Sequence, residues 1–477
     1  MSESTSRREF LKTSTLGLGA AATTMTAASP SVSAAERPSG DIAVWITAGD
    51  QRLAAGRALR WQSPETDPSA AVVELDPTKT FQDVLGFGAS FTDAACFTFN
   101  RLATAERDAL FRELFAPSEL GLSVCRTCVG SSDYATHLYS YADGDADPEL
   151  ARFSIAHDRE YILPLLRRAR EVNPDLFLLA SPWSPPGWMK ANGSMLGGSM
   201  RKKYLPAYAQ YILKFLQGYA AEGVPIQALT PQNEVDTDQD GRMAACLWGQ
   251  EYEIAFVRDH LGPLLARTGT PTKIWILDHN YNLWGRVLSQ LEDPEFRKYV
   301  DGVAWHGYVG RPEMMARVSS AHPDVTMYWT EGGPDYTDSD YQTGWGKWGA
   351  TFAGILRNGC RSITAWNFAL DESGRPNIGP FPCGGLVTIH SETREVVRSG
   401  QYWALAHYAR AIRRGARRFE SRGATAGGPQ HAAFENPGGR RVVVLSNPGD
   451  ARGVELRLAG RAARLSLPAN AMATLAW

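Results

Sequence analysis

Short apolar runs alternate with longer amphipathic stretches eight times along the chain. The runs lie at 84–91, 120–129, 176–183, 226–233, 273–280, 300–308, 326–333 and 362–370, and their composition favours strands. Between them, apolar residues recur at steps of three and four, as over 203–221, which predicts helices with one buried face. Eight strand-then-helix units with nearly continuous apolar strands predict an α/β fold, a (β/α)8 TIM barrel.

A doubly wound open sheet shows the same alternation. That fold normally carries a glycine-rich phosphate-binding turn after an early strand. The first two apolar runs are followed by TDAACF and GSSDYA, which are not turns of that type. The pattern therefore favours the closed barrel.

The two ends of the chain show strand patterns without helices. Residues 432–477 contain short alternating runs separated by turn motifs such as Asn-Pro-Gly, and residues 41–54 have a similar pattern. We predict a small β-sandwich domain built from both termini and packed rigidly beside the barrel. The expected division is 35–78 for N-terminal β strands that join the C-terminal domain, 79–415 for the catalytic barrel and 416–477 for the C-terminal β-sandwich domain.

The first 34 residues have the features of an export signal. Arg7 and Arg8 precede an apolar, uncharged stretch over 13–28 and a small-residue cleavage motif at 32–34. The stretch is too short and too weakly apolar to span a membrane permanently. We expect a twin-arginine signal peptide over 1–34 and a periplasmic or secreted mature protein.

Composition excludes several function classes. With 44% hydrophobic and 21% charged residues, the 477-residue chain is globular rather than disordered or fibrous. A net charge of −2 gives no electrostatic reason to expect nucleic acid or an anionic membrane as partner. The 14 Trp indicate an aromatic core or a surface that stacks on sugars. Trp345, Trp348 and Phe352 recur at helical steps and are predicted to pack against the barrel.

The six cysteines predict free thiols. Only Cys125 and Cys128 are close in sequence, and in a strand two residues three positions apart point to opposite faces. This spacing does not suit a zinc site or a redox pair. One or two disulfides elsewhere in the chain remain the alternative.

The predicted strand ends carry the candidate chemistry, because β/α barrels place their catalytic groups there. Each end has polar or aromatic residues: Asp93, Arg126, Trp183, Asn233, Glu234, Asp278, His279, His306, Tyr308, Glu331, Trp366 and Asn367. Glu234 and Glu331 end strands four and seven, so they face each other across the barrel mouth. Paired carboxylates beside Trp side chains are typical of glycoside hydrolysis.

Two other site types are compatible with parts of this pattern. Asp278, His279 and His306 could bind a metal, since two histidines and a carboxylate occur in metal-dependent barrels. No His-x-His pair or bridging lysine accompanies them, so we expect no metal and no cofactor. A non-catalytic carbohydrate-binding barrel is the second alternative, but such a protein does not need both Glu234 and Glu331.

The chain resembles glycoside hydrolase family 30, which includes lysosomal acid β-glucosidase (glucosylceramidase) and microbial endo-β-1,6-glucanases. The resemblance extends from about residue 80 to 410 and is carried by seven segments: FQDVLGFGASFTDAA, HLYSYAD, LLASPWSPPGWMKANG, TPQNE, DGVAWHGY, TMYWTEGG and TAWNFAL. SPWSPPGWMK and the ordered set of strand ends are the specific features. The resemblance implies a TIM barrel and a retaining β-glycosidase without a cofactor.

Residue roles also follow from the resemblance. It implies that Glu234 is the general acid/base and Glu331 the nucleophile, with carboxyl groups about 5–5.5 Å apart. The residues implied to bind the sugar are Asp93, Trp183, Asn233 and Trp366. The residues implied to support the nucleophile are Arg126, His306 and Tyr308.

Substrate preference is the point at which the chain departs from the acid β-glucosidases. Gly307 stands where they carry Trp, which predicts a thinner wall of the site. The segment 375–389 is closer to the β-1,6-glucanases. We expect a glucosylceramidase-like β-glucosidase acting on a β-linked oligosaccharide, polysaccharide or glucoside, with an endo-β-1,6-glucanase as the alternative.

Overall fold

The computed structural model describes residues 42–64, 69–423 and 428–477. The predicted signal peptide at 1–34 lies outside the described residues. Among the residues that are described, no helix is both long and apolar enough to cross a membrane.

Eight parallel strands close a barrel, which confirms the predicted TIM-barrel fold. The barrel strands are β4 Gly86–Phe91, β5 Val124–Val129, β6 Phe177–Pro182, β7 Ala228–Leu229, β8 Lys273–Asn280, β9 Gly302–His306, β10 Thr326–Glu331 and β11 Cys360–Ala365. Each falls within one of the predicted runs or overlaps it. The barrel closes where Ser362 of β11 pairs with Gly86 of β4.

The strand β7 is much shorter than its predicted run of 226–233. It ends at Leu229, and Pro231 follows two residues later. Proline has no N–H to donate to a strand ladder, so pairing stops there. The residues beyond it turn into the barrel mouth instead of continuing the strand.

The described helices alternate with the barrel strands. They are α1 Asp93–Phe99, α2 Thr104–Phe115, α3 Ala156–Glu160, α4 Ile162–Val172, α5 Leu205–Ala221, α6 Gln250–Ala255, α7 Gly262–Arg267, α8 Trp284–Leu291, α9 Pro294–Arg297, α10 Met315–Ala321, α11 Trp345–Arg357 and α12 Gly400–Ala409. A π-helical turn, Phe256–Leu261, joins α6 to α7. Short 3-10 turns lie at Gly187–Met189, Lys202–Tyr204, Gln239–Gly241, Tyr281–Leu283 and Pro312–Met314.

Helix α5 has the apolar face that its sequence predicts. Tyr208, Tyr211, Phe215 and Tyr219 are fully buried on it. Their spacing of three or four residues places them on one side of the helix. Burial of that side against the barrel accounts for the aromatic repeat.

Strands from both ends of the chain form the second domain, as predicted. Its nine strands are β1 Ala43–Ala48, β2 Gln51–Ala55, β3 Ala71–Asp83, β15 Arg417–Arg422, β16 Gln430–Glu435, β17 Arg441–Asn447, β18 Arg452–Leu458, β19 Arg461–Leu467 and β20 Ala471–Ala476. They are hydrogen-bonded in the order β19-β18-β3-β15-β16-β17-β20-β1-β2. This β-sandwich domain has its own apolar core, which includes Val73, Phe419 and Val443.

The long strand β3 runs from Ala71 to Asp83, across the expected division at residue 78. The barrel strand β4 begins three residues later. A third, small sheet follows the last barrel strand and contains β12 Ala369–Leu370, β13 Val387–Ile389 and β14 Val396–Arg398.

Helices α11 and α12 join the two domains. The indole of Trp345 on α11 donates to the carbonyl of Asn470 at 2.5 Å. His407 on α12 forms 2.8 Å hydrogen bonds to Thr47 of β1 and Thr474 of β20. Trp345 and Phe352 are buried and Trp348 packs against the same core, which confirms that these aromatic residues serve packing.

All six cysteines are buried free thiols. Cys125 packs in the main barrel core, whereas Cys128 packs among the aromatic residues of the barrel mouth. The two therefore lie on opposite sides of β5, as the strand spacing predicts.

Candidate active site

A bulge at the end of β8 directs two consecutive side chains into the barrel mouth. Regular alternation would send Asp278 and His279 to opposite faces of the strand. The pairing of β8 with β9 skips Asp278, and Leu277 and Asp278 have φ values of 74° and 46°. Both side chains are consequently buried beside the predicted catalytic groups.

Glu234 also has a backbone conformation that is unusual for a residue with a side chain. Its φ is 52°, a region that costs a non-glycine residue roughly 1–3 kcal/mol. Its N–H donates to the carbonyl of Asp278 at 3.0 Å, while the N–H of Asn233 donates to Pro182 at 2.8 Å. These two bonds attach the segment after β7 to both neighbouring strands and fix both side chains in the mouth.

Arg126 is the central cation of the site and is fully buried. Its guanidinium donates to Glu331 at 2.5 Å, to Asn233 at 2.6 Å and to Asp278 at 2.7 Å. A buried charge is stable only when it is paired in this way. The three bonds bring the ends of β5, the segment after β7, β8 and β10 into one network.

Asp278 is the structural anion of the network. Its carboxylate accepts hydrogen bonds from Ser181, Thr230 and Thr330, each at 2.7 Å. Burial by itself would raise the pKa of Asp278, but the charge of Arg126 and the bond from His306 hold it far below its usual value. Asp278 is therefore ionised at any pH at which the protein works.

His306 lies between the two predicted catalytic glutamates. Its Nε2 is 2.9 Å from Asp278, and its Nδ1 lies 3.4 Å from Glu234 Oε1 and 3.9 Å from Glu331 Oε1. Burial lowers the pKa of His306, but Glu331, Asp278 and Glu234 together raise it to about 9. The imidazole is thus cationic at neutral pH and contributes positive charge between the carboxylates.

Glu331 is held from two sides. The guanidinium of Arg126 bonds one carboxylate oxygen, and the phenol of Tyr308 donates to the other at 3.0 Å. Two such hydrogen bonds fix the orientation of the carboxyl group. The side chain is almost completely buried, so the orientation is not averaged by solvent.

Glu234 has a different environment. Gln239 donates to its Oε2 at 2.8 Å. Its Oε1 faces ring nitrogens of His306 at 3.4 Å and His279 at 3.8 Å. An amide and two imidazoles surround Glu234, whereas a guanidinium and a phenol bond Glu331, so the two carboxyl groups have different surroundings.

Trp183 and Trp366 form one wall of the site. Their rings stack with centroids 5.1 Å apart and an interplanar angle of 21°. The guanidinium carbon of Arg126 lies 4.7 Å from the ring centre of Trp183 and 5.6 Å from that of Trp366. Phe381, from the segment 375–389, packs against the same aromatic cluster. That segment thereby helps to shape the mouth.

Asp93 lies in a neighbouring network. Its carboxylate accepts from Tyr161 at 2.5 Å and from Thr136 at 3.2 Å, and it faces His157 at 3.4 Å. Among the described residues, these hydrogen bonds and the ion pair tie Asp93 to Tyr161, Thr136 and His157 rather than to the two glutamates. The structure thus brings together every predicted site residue except Asp93.

The glycine at position 307 does not leave a gap. A Cβ atom on Gly307 would lie 2.9 Å from the ring of Trp329, and one on Gly332 would lie 2.3 Å from the same ring. The buried Trp329 ring fills the side-chain space of both glycines. The expected thinner wall is therefore wrong: the space is occupied from the neighbouring strand.

Several residues of the site were not apparent from the sequence. Gln239 and Asp236 lie in a loop after β7 and contact Glu234 and His279, respectively. Ser181, near the end of β6, and Thr230, directly after β7, bond Asp278. Such residues carry no recognisable motif, although the position of Asp236 two residues after Glu234 was a weak signal.

The arrangement can perform acid/base and nucleophilic chemistry at one point. Glu331 is held between a guanidinium and a phenol, and Glu234 is bonded by an amide and faces imidazole nitrogens. The aromatic wall packs against Arg126, which in turn bonds Glu331. Hydrolysis of a β-glycosidic bond by two carboxyl groups requires one that attacks the sugar and one that transfers a proton.

Comparison with known proteins places this site in a family. The sequence profile of the glycosyl hydrolase family 30 TIM-barrel domain matches residues 84–412, and that of the family 30 β-sandwich domain matches residues 415–475. The chain is 32% identical to endo-1,6-β-D-glucanase of Neurospora crassa over 72% of this chain and 73% of the relative.

Two further proteins show the same likeness. Lysosomal acid glucosylceramidase of Mus musculus is 28% identical, over 78% of this chain and 76% of the relative. The solved structure of the endo-β-1,6-glucanase BT3312 has a TM-score of 0.82 at 28% identity and covers 92% of this chain and 99% of that chain. The chain belongs to glycosyl hydrolase family 30 and is an O-glycosyl hydrolase.

Proposed function

We propose that the protein hydrolyses β-glucosidic bonds with retention of configuration, with Glu331 as nucleophile and Glu234 as general acid/base. The observation that carries this proposal is the contrast between the two carboxylates. Glu331 is held by Arg126 and Tyr308, whereas Gln239 bonds Oε2 of Glu234 and His306 faces its Oε1.

In the first step, Glu331 attacks the anomeric carbon while Glu234 protonates the departing glycosidic oxygen. The C–O bond to the leaving group breaks and an ester bond to Glu331 forms. In the second step, Glu234 takes a proton from water, and the water oxygen displaces Glu331. Asn233, which is fixed by Arg126 at 2.6 Å, binds the sugar 2-OH, and Trp183 and Trp366 border the ring.

For the substrate we propose a β-1,6-linked glucan. Similar proteins named as endo-1,6-β-D-glucanases come from Neurospora crassa, Aspergillus fumigatus and Trichoderma harzianum. The segment 375–389 supports this choice, because it packs Phe381 beside the aromatic wall. Hydrolysis of glucosylceramide is the second candidate, favoured by the likeness to glucosylceramidases.

A hydrolysis panel tests both parts of the proposal. The substrates are a β-1,6-glucan, β-1,3- and β-1,4-glucans, glucosylceramide and an aryl β-glucoside. Rapid release of oligosaccharides from the β-1,6-glucan supports an endo-acting β-1,6-glucanase, whereas preferential cleavage of glucosylceramide overturns that substrate choice. Proton NMR of the first-formed sugar tests the mechanism, and an α-anomer as initial product contradicts retention.

We also propose that residues 1–34 direct export by the twin-arginine route. The support is the paired arginine at Arg7 and Arg8 followed by the apolar stretch over 13–28. Export of a reporter fused to residues 1–40 is expected to stop when both arginines are changed to lysine. Unchanged export of the double variant contradicts the proposed route.

A further inference from the structure

His279 and His306 both direct their Nδ1 atom toward Oε1 of Glu234. His306 Nδ1 and His279 Nδ1 lie 3.4 Å and 3.8 Å from Glu234 Oε1. Both Nδ1 atoms are buried and have no hydrogen-bond partner among the described residues. Hydrolysis by two carboxylates does not require a second histidine, so His279 needs a separate explanation.

The opposite nitrogen of each ring is bonded to a carboxylate. His306 Nε2 is 2.9 Å from Asp278, and His279 Nε2 is 2.5 Å from Asp236. The carboxylate accepts the Nε2 proton, so Nδ1 is the nitrogen left for a metal ion, which displaces the Nδ1 proton of His306 as it binds. Histidines that bind metal ions are held in this way by a carboxylate, a backbone carbonyl or water.

The three donors are close enough for one metal ion. One ligand atom from each of Glu234, His279 and His306 lies within 4.8 Å of the other two. In a tetrahedral zinc site the ligand atoms lie about 3.3–3.5 Å apart, given metal–ligand bonds of about 2.0–2.2 Å. Two of the three separations, 3.4 Å and 3.8 Å, are already close to that value.

The surrounding charge favours a dication. Asp236, Asp278 and Glu331 lie beside the three donors, and Arg126 is the cation that opposes them. Once the ion has displaced the Nδ1 proton of His306, four carboxylates face the guanidinium of Arg126, and Arg286, which also acts on Asp236, is itself paired with Glu253. Negative charge is therefore in excess among these described residues. A divalent cation reduces this repulsion in a poorly solvated site.

We propose that Glu234, His279 and His306 form a binding site for one divalent transition-metal ion of the Zn²⁺ class, and that the ion inhibits the enzyme reversibly. Binding occupies Glu234 Oε1 and the imidazole lone pairs. The site differs from a catalytic metal centre because the proposed hydrolysis uses no metal. Binding stands on the geometry, whereas inhibition also rests on the proposed role of Glu234.

Calorimetric titration of the untagged, EDTA-treated enzyme with ZnCl₂ tests the binding. The expected result is one ion per chain, with affinity reduced at least about tenfold in His279→Asn and about 10–100-fold in Asp236→Asn, which removes the supporting carboxylate. MgCl₂ is expected to give no saturable binding, because Mg²⁺ prefers oxygen ligands. His390→Asn is the matched control, because His390 also faces a glutamate but is partly exposed.

Zn²⁺ affinity equal to wild type in both His279→Asn and Asp236→Asn overturns the proposal, as does failure of the wild type to bind one Zn²⁺. Asp236 is 40% exposed, so its variant tests the site even if His279→Asn fails to fold. Hydrolysis assays with Zn²⁺ form the second arm, in which His279→Asn is expected to shift half-inhibition at least tenfold. Stoichiometric binding without inhibition refutes the inhibitory part and leaves the site itself supported.

Discussion

Arg126 determines the chemistry of the site at the scale of single residues. It is buried without solvent contact and bonds Glu331, Asn233 and Asp278. The paired carboxylate Asp278 balances its charge, which leaves the second guanidinium nitrogen for Glu331. Arg126 therefore bonds the structural carboxylate of Asp278 and the proposed catalytic carboxylate of Glu331 through different nitrogens.

Replacement of Glu331 by Gln is expected to lower kcat at least about 10³-fold, because the amide cannot attack the anomeric carbon. For Glu331→Gly, added azide is expected to restore cleavage of an activated aryl glucoside and to give an α-glycosyl azide. For Glu234→Gly, the expected azide product is the β-anomer. Exchange of these two product configurations contradicts the assigned roles, and exposed Glu171→Gln is the control.

Removal of the phenol that orients Glu331 has a smaller expected effect. Tyr308→Phe loses one hydrogen bond to a charged group, worth about 1.5–3 kcal/mol, which corresponds to a roughly 10–100-fold lower kcat/KM. Tyr299→Phe, in the segment that leads into β9, is the control. Equal kinetics for wild type and Tyr308→Phe, measured with an aryl glucoside, contradict the supporting role of Tyr308.

At the scale of elements, the irregular ends of the barrel strands, rather than their regular parts, place the site residues. The sequence predicts where strands occur because apolar runs are local. The bulge at Asp278 and the positive φ at Glu234 depend on bonds to neighbouring strands. The position of Asp278 and His279 at a strand end indicated one site for both, but alternation along β8 did not show how both side chains enter it.

The close packing of two glycines against the Trp329 ring predicts how a substitution at the end of β10 affects stability and activity. A Cβ at Gly332 would lie 2.3 Å from the Trp329 ring, and overpacking of this kind costs about 1–3 kcal/mol. Gly332→Ala is expected to lower Tm and, because Glu331 precedes it, to lower kcat as well.

Gly285→Ala in α8 is the matched control, because a Cβ there meets nothing within 4 Å. Alanine in a helix stabilises relative to glycine by about 0.5–1 kcal/mol. If thermal denaturation and kinetics of Gly332→Ala match the wild type, the ring does not occupy the space as described.

At the scale of the whole molecule, the barrel and the β-sandwich domain share buried polar contacts. His407 bonds both Thr47 and Thr474, which lie on strands from opposite ends of the chain. Burial lowers the pKa of His407 to about 3. The unfolded chain therefore binds a proton on this residue at a higher pH than the folded protein does.

This difference predicts acid sensitivity of the joined domains. Because the pKa of His407 is about 3 in the folded state and about 6.5 in the unfolded state, its contribution to stability is present above pH 6.5. It falls as the pH drops toward 3, by several kcal/mol in total. The free energy of unfolding of His407→Gln is therefore expected to depend less on pH than that of wild type.

Comparison of wild type with His407→Gln isolates the contribution of His407 to the pH dependence of the free energy of unfolding. Burial raises the pKa of Asp158 to about 6, so that residue gives the opposite slope between about pH 4 and 6, but it does so in both proteins. Urea denaturation at pH 4.5 and 7.5 provides the measurement. Parallel pH dependence of the two proteins contradicts the prediction.

The sequence by itself determined the barrel and the two-ended β-sandwich domain, and it indicated that Glu234 and Glu331 meet at the barrel mouth. These features follow from local patterns: apolar periodicity, turn motifs and the position of polar residues after strands. Glu234 and Glu331 were identifiable because strand ends meet at one face of a barrel.

The tertiary structure decided what surrounds those glutamates. Asp236 and Gln239 reach the site through a loop, and the Trp329 ring fills the space beside Gly307 from another strand. The pairing of Arg126 with Asp278 and Glu331 joins residues far apart in sequence. Contacts between distant segments depend on how the strands are registered and bulged, which local periodicity does not specify.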